Sequence, residues 1–347
     1  MTNIKFYNIY MFISTLTRNI IDIYSVVILY QKGFSINNII GIYAITYFIG
    51  SYISTLSIKI GSNIGFKYIL IFSSIITSIS FYIMNKIYDP YIIAIFLSLS
   101  IFTYHPIKHY YGINILKEKK EIGNMIILTY IATILSSYIA IKNVKIIYLV
   151  IISFISIIPT LFIKKEKKEK ITYPMFISKS TLNFFILDQF KIIFLLLQPL
   201  YLYIISKNIS YVGIFNIIIA ISSIIYIYSY ANKKNIEKQY KLINIFFTII
   251  LLLKLNINNK IILLIIALLE GIGIKTNELI STMNLYQNKK SKTGYLIISE
   301  IIFCLVRGLI LSVIYILKID LKINLYLLLI GIFFLSFQYK KDTHTNV

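Results

Sequence analysis

Two charges interrupt the first apolar stretch of this chain. In "STLTRNIIDIYSVVILY", Arg18 and Asp22 stand four residues apart and so share one face of a helix. The pattern recurs. Asp188 and Lys191 are three apart in "FFILDQFKIIF", and Glu300, Cys304 and Arg307 follow at i, i+4 and i+7 in "SEIIFCLVRG". Glu270 lies in "ALLEGIGIK" with no base on its own apolar run, and His105 lies in "FTYHPIKHYY". These types can do chemistry. An unpaired acid in low dielectric can carry a proton, a histidine titrates near neutrality, and an arginine keeps its charge and can hold an anionic group. A plainer role is open for each. A same-face acid and base can neutralise each other and lock helix packing; His105 can be a satisfied packing residue; Glu270 can be solvated at the end of its run.

The surroundings of these charges set the question. The chain has 347 residues, 58% hydrophobic and only 14% charged, against about 25% charged in soluble proteins. The apolar residues form long runs separated by short Lys- and Asn-rich breaks, which predicts a polytopic all-α membrane protein. Twelve candidate spans lie at 8–30, 37–58, 68–85, 90–106, 124–141, 146–163, 183–205, 211–231, 242–253, 261–274, 294–317 and 323–338. The net charge of +22 does not indicate nucleic acid, because the lysines fall between apolar runs and not on one face of a soluble domain. The Ile, Asn, Lys and Tyr excess matches translation from AT-rich codons. With one cysteine, Cys304, no disulfide or Cys-based metal site forms within the chain. No metal site or cofactor is expected. No cleavable signal peptide is expected either, since Arg18 breaks the first apolar stretch.

The connections alternate. Those after spans 1, 3, 5, 7, 9 and 11 are tight ("QKGFSI", "NKIYD", "IKNVK", "SKNIS", "KLNINNK", "KIDLK"), and the others are mostly longer and more basic. The N-terminus, the even connections and the C-terminus hold 23 basic residues against 9 in the tight connections. The positive-inside rule then places both termini in the cytoplasm. The longest break, 164–182, divides the chain into a six-helix bundle at 1–163 and another at 183–347 with a short tail. "YQKGFSINNIIGIYAI" after span 1 and "ISKNISYVGIFNIIIA" after span 7 echo each other, as parallel repeats of a transporter would.

With twelve spans, a basic central loop and internal termini, the chain resembles the major facilitator superfamily over nearly its whole length. Members often carry Gly-x-x-x-Asp-Arg-x-Gly-Arg/Lys-Arg/Lys between helices 2 and 3; here "IKIGSNIGFKYI" keeps Gly65 and Lys67, while Ile58, Ser62 and Asn63 replace the first Gly, the acid and the Arg. "YHPIKHYY" and "SEIIFCLVRG" are similar to segments of some bacterial members. The resemblance implies that helices 1, 4, 7 and 10 line a central cavity and that 2, 5, 8 and 11 flank it. Arg18, Asp22, His105, Asp188, Lys191, Glu270, Glu300 and Arg307 all fall on such helices. It also implies a gating role for the loop with Gly65 and Lys67.

No nucleotide-binding loop, His-Glu-x-x-His or Gly-x-Ser-x-Gly motif occurs, so an enzyme is not expected. The expected protein is a monomeric secondary transporter in a bacterial inner membrane. It would move a small solute by alternating access, with protons carried through Asp22 and through Glu270 or Glu300. The partners expected are the small-molecule substrate, protons and the lipid bilayer, with no nucleic acid. A lipid-linked glycan flippase and a non-transporting membrane protein are the alternatives. Pro199, beside Gln198, is expected to bend its helix, and Gly271 and Gly273 to allow close packing.

Overall fold

A computed structural model of the chain describes residues 3–115, 119–142, 146–164, 171, 179–230, 236–287 and 292–337. Most of the basic 164–182 break and the C-terminal tail lie outside these residues. Thirteen helices occur among the described residues: α1 (Asn3–Gln31), α2 (Ile36–Ile64), α3 (Phe66–Lys86), α4 (Pro90–Ile115), α5 (Lys119–Ile141), α6 (Ile146–Ile155), α7 (Ile157–Leu161), α8 (Lys179–Ser206), α9 (Ile209–Tyr230), α10 (Ile236–Asn256), α11 (Lys260–Gln287), α12 (Lys292–Leu317) and α13 (Leu321–Leu335). Each apolar run falls on one helix, apart from the sixth, which α6 and α7 share with Ser156 between them. Several helices outrun the hydropathy: α2 continues to Ile64, α4 through Pro106 to Ile115, and α11 to Gln287, while α10 runs from Ile236 to Asn256.

Hydrocarbon leaves backbone N–H and C=O groups no partner except each other, so apolar runs of this length become helices. Eight of the helices are long and apolar enough to cross a membrane, and Ile147–Leu161 and Leu321–Leu335 are shorter apolar segments. Large apolar side chains such as Ile225, Leu309 and Ile316 point outward and are more than half exposed, as a lipid-facing surface requires. The protein is a multi-pass integral membrane protein.

Five of the tight turns end in a helix cap. After α1, Gly33 takes φ +93°; its N–H donates to the Tyr30 carbonyl at 3.0 Å, and the Phe34 N–H donates to that of Leu29 at 3.2 Å. This is a Schellman closure with glycine at its left-handed position. Ser35 then caps α2, accepting from the Asn38 N–H at 3.1 Å. Asp89 caps α4, Asn208 caps α9, Asn259 caps α11 and Asp320 caps α13, each through a side-chain oxygen accepting backbone N–H groups at 2.7–3.3 Å. These five polar residues between the oily runs are helix caps.

Packing repeats along the chain. In the first part α2 packs on α4, α3 on α4 and on α6, and α1 on α5 and α6; in the second α9 packs on α11, α10 on α11 and on α13, and α8 on α12 and α13. With α6 and α7 taken as one unit, the two sets correspond helix for helix. The two parts meet most extensively through α2 with α12 and α5 with α9, pairs that exchange under the same correspondence. Close approach at these contacts is local: Gly41 faces the Tyr315 ring and Gly308 faces Phe48. Gly271 lets α11 touch α9, where a Cβ would stand 2.5 Å from the Ile219 carbonyl oxygen.

Candidate functional site

Between the two parts lies a cavity of about 280 Å³. Its lining repeats with the helical period on each wall. α4 supplies Phe102, His105, Lys108 and His109; α8 supplies Phe184, Phe185, Asp188, Gln189, Lys191, Ile192 and Leu195; α12 supplies Glu300, Phe303 and Arg307. A second cavity of about 280 Å³ adjoins it, sharing Lys108, Thr129, Leu195 and Ile274, and is lined otherwise by neutral groups including Thr15, Asn19, Thr133, Gln198 and Asn216. The charged cavity lies toward the bundle end where α1 begins, since the Tyr7 hydroxyl there donates to the Lys108 carbonyl at 2.9 Å. At the other end α1 and α8 meet. Tyr30 and Tyr203 meet edge to face at 6.1 Å, and the Gln31 amide donates to the Tyr203 hydroxyl at 3.3 Å.

Five of the eight charged or titratable candidates line the cavity: His105, Asp188, Lys191, Glu300 and Arg307. Lys191 donates to Asp188 on its own helix, so this same-helix pair does form. The other same-face pairs do not. Arg18, 4% exposed, donates to the Ser100 carbonyl at 2.7 Å, to the Ser73 carbonyl at 3.2 Å and to the Ser73 hydroxyl. Its guanidinium also lies 3.9 Å from the centre of the Tyr104 ring. The planar fork reaches across to α3 and α4, where helix carbonyls can be shared, and so is not drawn back to its own helix. Asp22 instead approaches His105, Oδ2 to Nε2 at 3.9 Å, with both side chains about one-third exposed.

Glu270 is not isolated. Lys254 Nζ donates to both its oxygens, at 2.9 and 2.8 Å, with both side chains fully buried. Hydropathy assigns Lys254 to the tight connection after span 9, but α10 continues to Asn256 and turns the ammonium inward. There it sits 5.1 and 5.6 Å from the Phe194 and Phe215 ring centres. Neither Lys254 nor Glu270 lines either cavity.

Arg307 donates from Nε to Gln189 Oε1 at 2.7 Å, an α12-to-α8 bond with no signature in spacing. Glu300 is 4% exposed, lines the cavity, and has no hydrogen bond or ion pair among the described residues. Cys304 is fully buried behind this face and does not line the cavity. Gly65 joins α2 to α3 at φ +112°, with its N–H donating to the Gly61 carbonyl at 2.8 Å. Lys67 follows it, its ammonium 5.5 Å from the Tyr68 ring centre. Both lie away from the cavity lining. Pro199 sits inside α8 and lines the neutral cavity beside Gln198. Among the described residues no His, Cys, Asp and Glu cluster could hold a metal ion.

No protein-family model matches the sequence, and no curated protein matches it. Solved structures do. The nucleoside transporter NupG superposes with a TM-score of 0.69 at 12% identity, over 97% of this chain and 98% of that one. The human organic anion transporter MFSD10 gives 0.66 at 8% identity over 96% and 98%. A bacterial homologue of the iron transporter ferroportin, in an outward-facing state, gives 0.62 at 11% identity over 97% and 98%. These are major facilitator transporters. Whole-length superposition and the repeated packing agree: this chain has the major facilitator superfamily fold.

Proposed function

We propose that this protein is a secondary transporter that moves a small solute across the membrane by alternating access of two six-helix bundles, 1–163 and 183–347, joined by the basic 164–182 linker. The observation that carries this reading is the charged cavity between the two parts, with α4 on one wall and α8 and α12 on the other, and with Tyr30, Gln31 and Tyr203 in contact at the opposite end. An ionisable residue at mid-membrane costs roughly 2.5–3.5 kcal/mol on insertion scales. A cluster of them facing one solvent-reachable space is the arrangement transport needs. In this reading the chain has twelve spans, sits as a monomer in a bacterial inner membrane, and keeps both termini in the cytoplasm, so the cavity lies in the cytoplasmic half. It is not an enzyme and holds no cofactor.

Protons drive the cycle in this account. Asp22 and His105, poised 3.9 Å apart on α1 and α4, form one proton-handling unit, and Glu300, buried and without a hydrogen bond or ion pair among the described residues, forms the second. Lys254 occupies Glu270, which is thereby the weaker candidate for second carrier. The test is solute flux into proteoliposomes under an imposed pH gradient, with nucleosides, sugars, amino acids, organic anions and hydrophobic cations, comparing wild type with Asp22→Asn. Gradient-driven accumulation that Asp22→Asn abolishes while exchange persists is the expected result. Unchanged accumulation in the folded variant removes Asp22 from the proton path; absence of flux for every compound favours a flippase or a non-transporting protein.

A further inference from the structure

Resting on the transporter reading, we infer that the solute is an organic anion with a neutral, hydrogen-bond-donating end, its anionic group held between Arg307 and Lys108 and its donor end against Gln198.

The charge balance of the cavity points to an anion. Lys191 is neutralised by Asp188. Lys108 and Arg307 have no carboxylate partner among the described residues, although both line the cavity. Against them stands one acid, Glu300, which lies two helical turns before Arg307, roughly 10 Å along α12 at 1.5 Å per residue. The unpaired charge is therefore net positive even with Glu300 ionised. Gln189 holds Arg307 through Nε at 2.7 Å and the Tyr47 hydroxyl accepts from the same guanidinium, fixing its plane while terminal N–H groups remain to donate to a carboxylate. Lys108 comes from α4 and Arg307 from α12, so one anion between them ties the two parts of the molecule together. That differential contact is what a ligand needs to shift a conformational equilibrium.

The body of the solute is organic and partly polar. Four phenylalanines, Phe102, Phe184, Phe185 and Phe303, line the charged cavity, which suits a carbon frame better than a bare inorganic ion. The neutral cavity adds an independent observation. Gln198 is 3% exposed, lines it, and has a buried Oε1 without a hydrogen-bond partner among the described residues. A buried acceptor left unmade costs about 1–3 kcal/mol, and a ligand hydroxyl or amide N–H relieves that cost. The two cavities share Lys108, Thr129, Leu195 and Ile274, so one molecule can reach both. Each is near the lower bound for ligand sites, roughly 300–1,000 Å³.

The sole cysteine, Cys304, is fully buried and reports unfolding by reacting with a fluorogenic maleimide during a thermal ramp of the purified full chain. The probes are hippurate, benzoate, gluconate and succinate, with hippuramide as the neutral analogue, benzylamine as the cation and inorganic phosphate. Carboxylates raise the transition temperature and hippuramide and benzylamine do not; hippurate, which carries an amide, half-saturates at lower concentration than benzoate. Arg307→Gln and Lys108→Gln each raise the half-saturating hippurate concentration roughly 10–100-fold, the loss of one charge-assisted hydrogen bond, and Arg307→Lys retains part of it. Gln198→Leu removes the preference for hippurate over benzoate and keeps the requirement for charge. Thermal unfolding without ligand separates misfolding from lost binding, and Lys108→Gln serves if Arg307→Gln does not fold. A shift with benzylamine or hippuramide, with phosphate alone, or with no carboxylate overturns the inference. Proteoliposome uptake of a neutral or cationic solute would still leave the transporter reading standing, whereas anion binding without flux would strike at that reading alone.

Discussion

Lys254 and Glu270, sixteen residues apart on α10 and α11, form a two-pronged ion pair at 2.9 and 2.8 Å with both side chains fully buried. It lies outside both cavities, against the faces of Phe194 and Phe215. Removing one partner of such a pair strands the other charge and typically costs 3–5 kcal/mol, whereas replacing both with apolar residues is often neutral. Glu270→Gln should therefore lower the unfolding temperature sharply, and Lys254→Met with Glu270→Leu should restore most of it, read by thermal exposure of Cys304. If the double variant transports like wild type, the pair is structural.

Arg18 and Asp22 should behave as separate residues. Arg18 is bonded to Ser73 and Ser100, and a lysine cannot reproduce the fork. Arg18→Lys is expected to destabilise by about 1.5–3 kcal/mol, the worth of hydrogen bonds to a charged group. Asp22→Asn should stay within about 0.5 kcal/mol of wild type, as a side chain outside a buried network does. Equal destabilisation by the two, with full coupling between them in a double-mutant cycle, would mean that they are an ion pair after all.

Gly271→Ala should cost about 1–3 kcal/mol, the range for overpacking. Its Cβ would meet the Ile219 carbonyl oxygen at 2.5 Å and the Ser222 hydroxyl closer still. Ser222→Ala relieves the second clash and not the first, so in an unfolding assay it should rescue the variant only in part.

In the transporter reading the seal opposite the cavity rests on Tyr203, which meets Tyr30 and accepts from Gln31. Tyr203→Ala should weaken that closure and raise the share of molecules open on that side. The check is faster reaction of a cavity cysteine with an impermeant thiol reagent applied there. An unchanged rate would place the closure elsewhere.

The helices were legible because lipid makes a simple demand: runs of Ile, Leu and Phe must satisfy their own backbones. The caps were equally local, as Ser35, Asp89, Asn208, Asn259 and Asp320 show. The side-chain partners were not legible, because they join helices remote in sequence. Spacing offers Asp22 to Arg18, yet the guanidinium reaches α3 and α4. Glu270 finds Lys254, which hydropathy leaves in a loop because the apolar run stops one residue before it. Gln189 is uncharged and Lys108 falls just past the apolar run that ends at 106, so neither stands out as a charge within a span, although Lys108 follows His105 at i+3 in "YHPIKHYY" and Gln189 adjoins Asp188. Arg307, His105, Asp188, Lys191 and Glu300 do share one cavity, since charges in an oily helix have few places to face.

The most direct test of alternating access uses Thr129, which lines both cavities. In a Cys304→Ser background, Thr129→Cys is treated with a membrane-impermeant maleimide in right-side-out and inside-out vesicles. The account predicts labelling from both sides, because the same residue faces each side in turn. Labelling from one side only, or from neither, in a folded protein would contradict it.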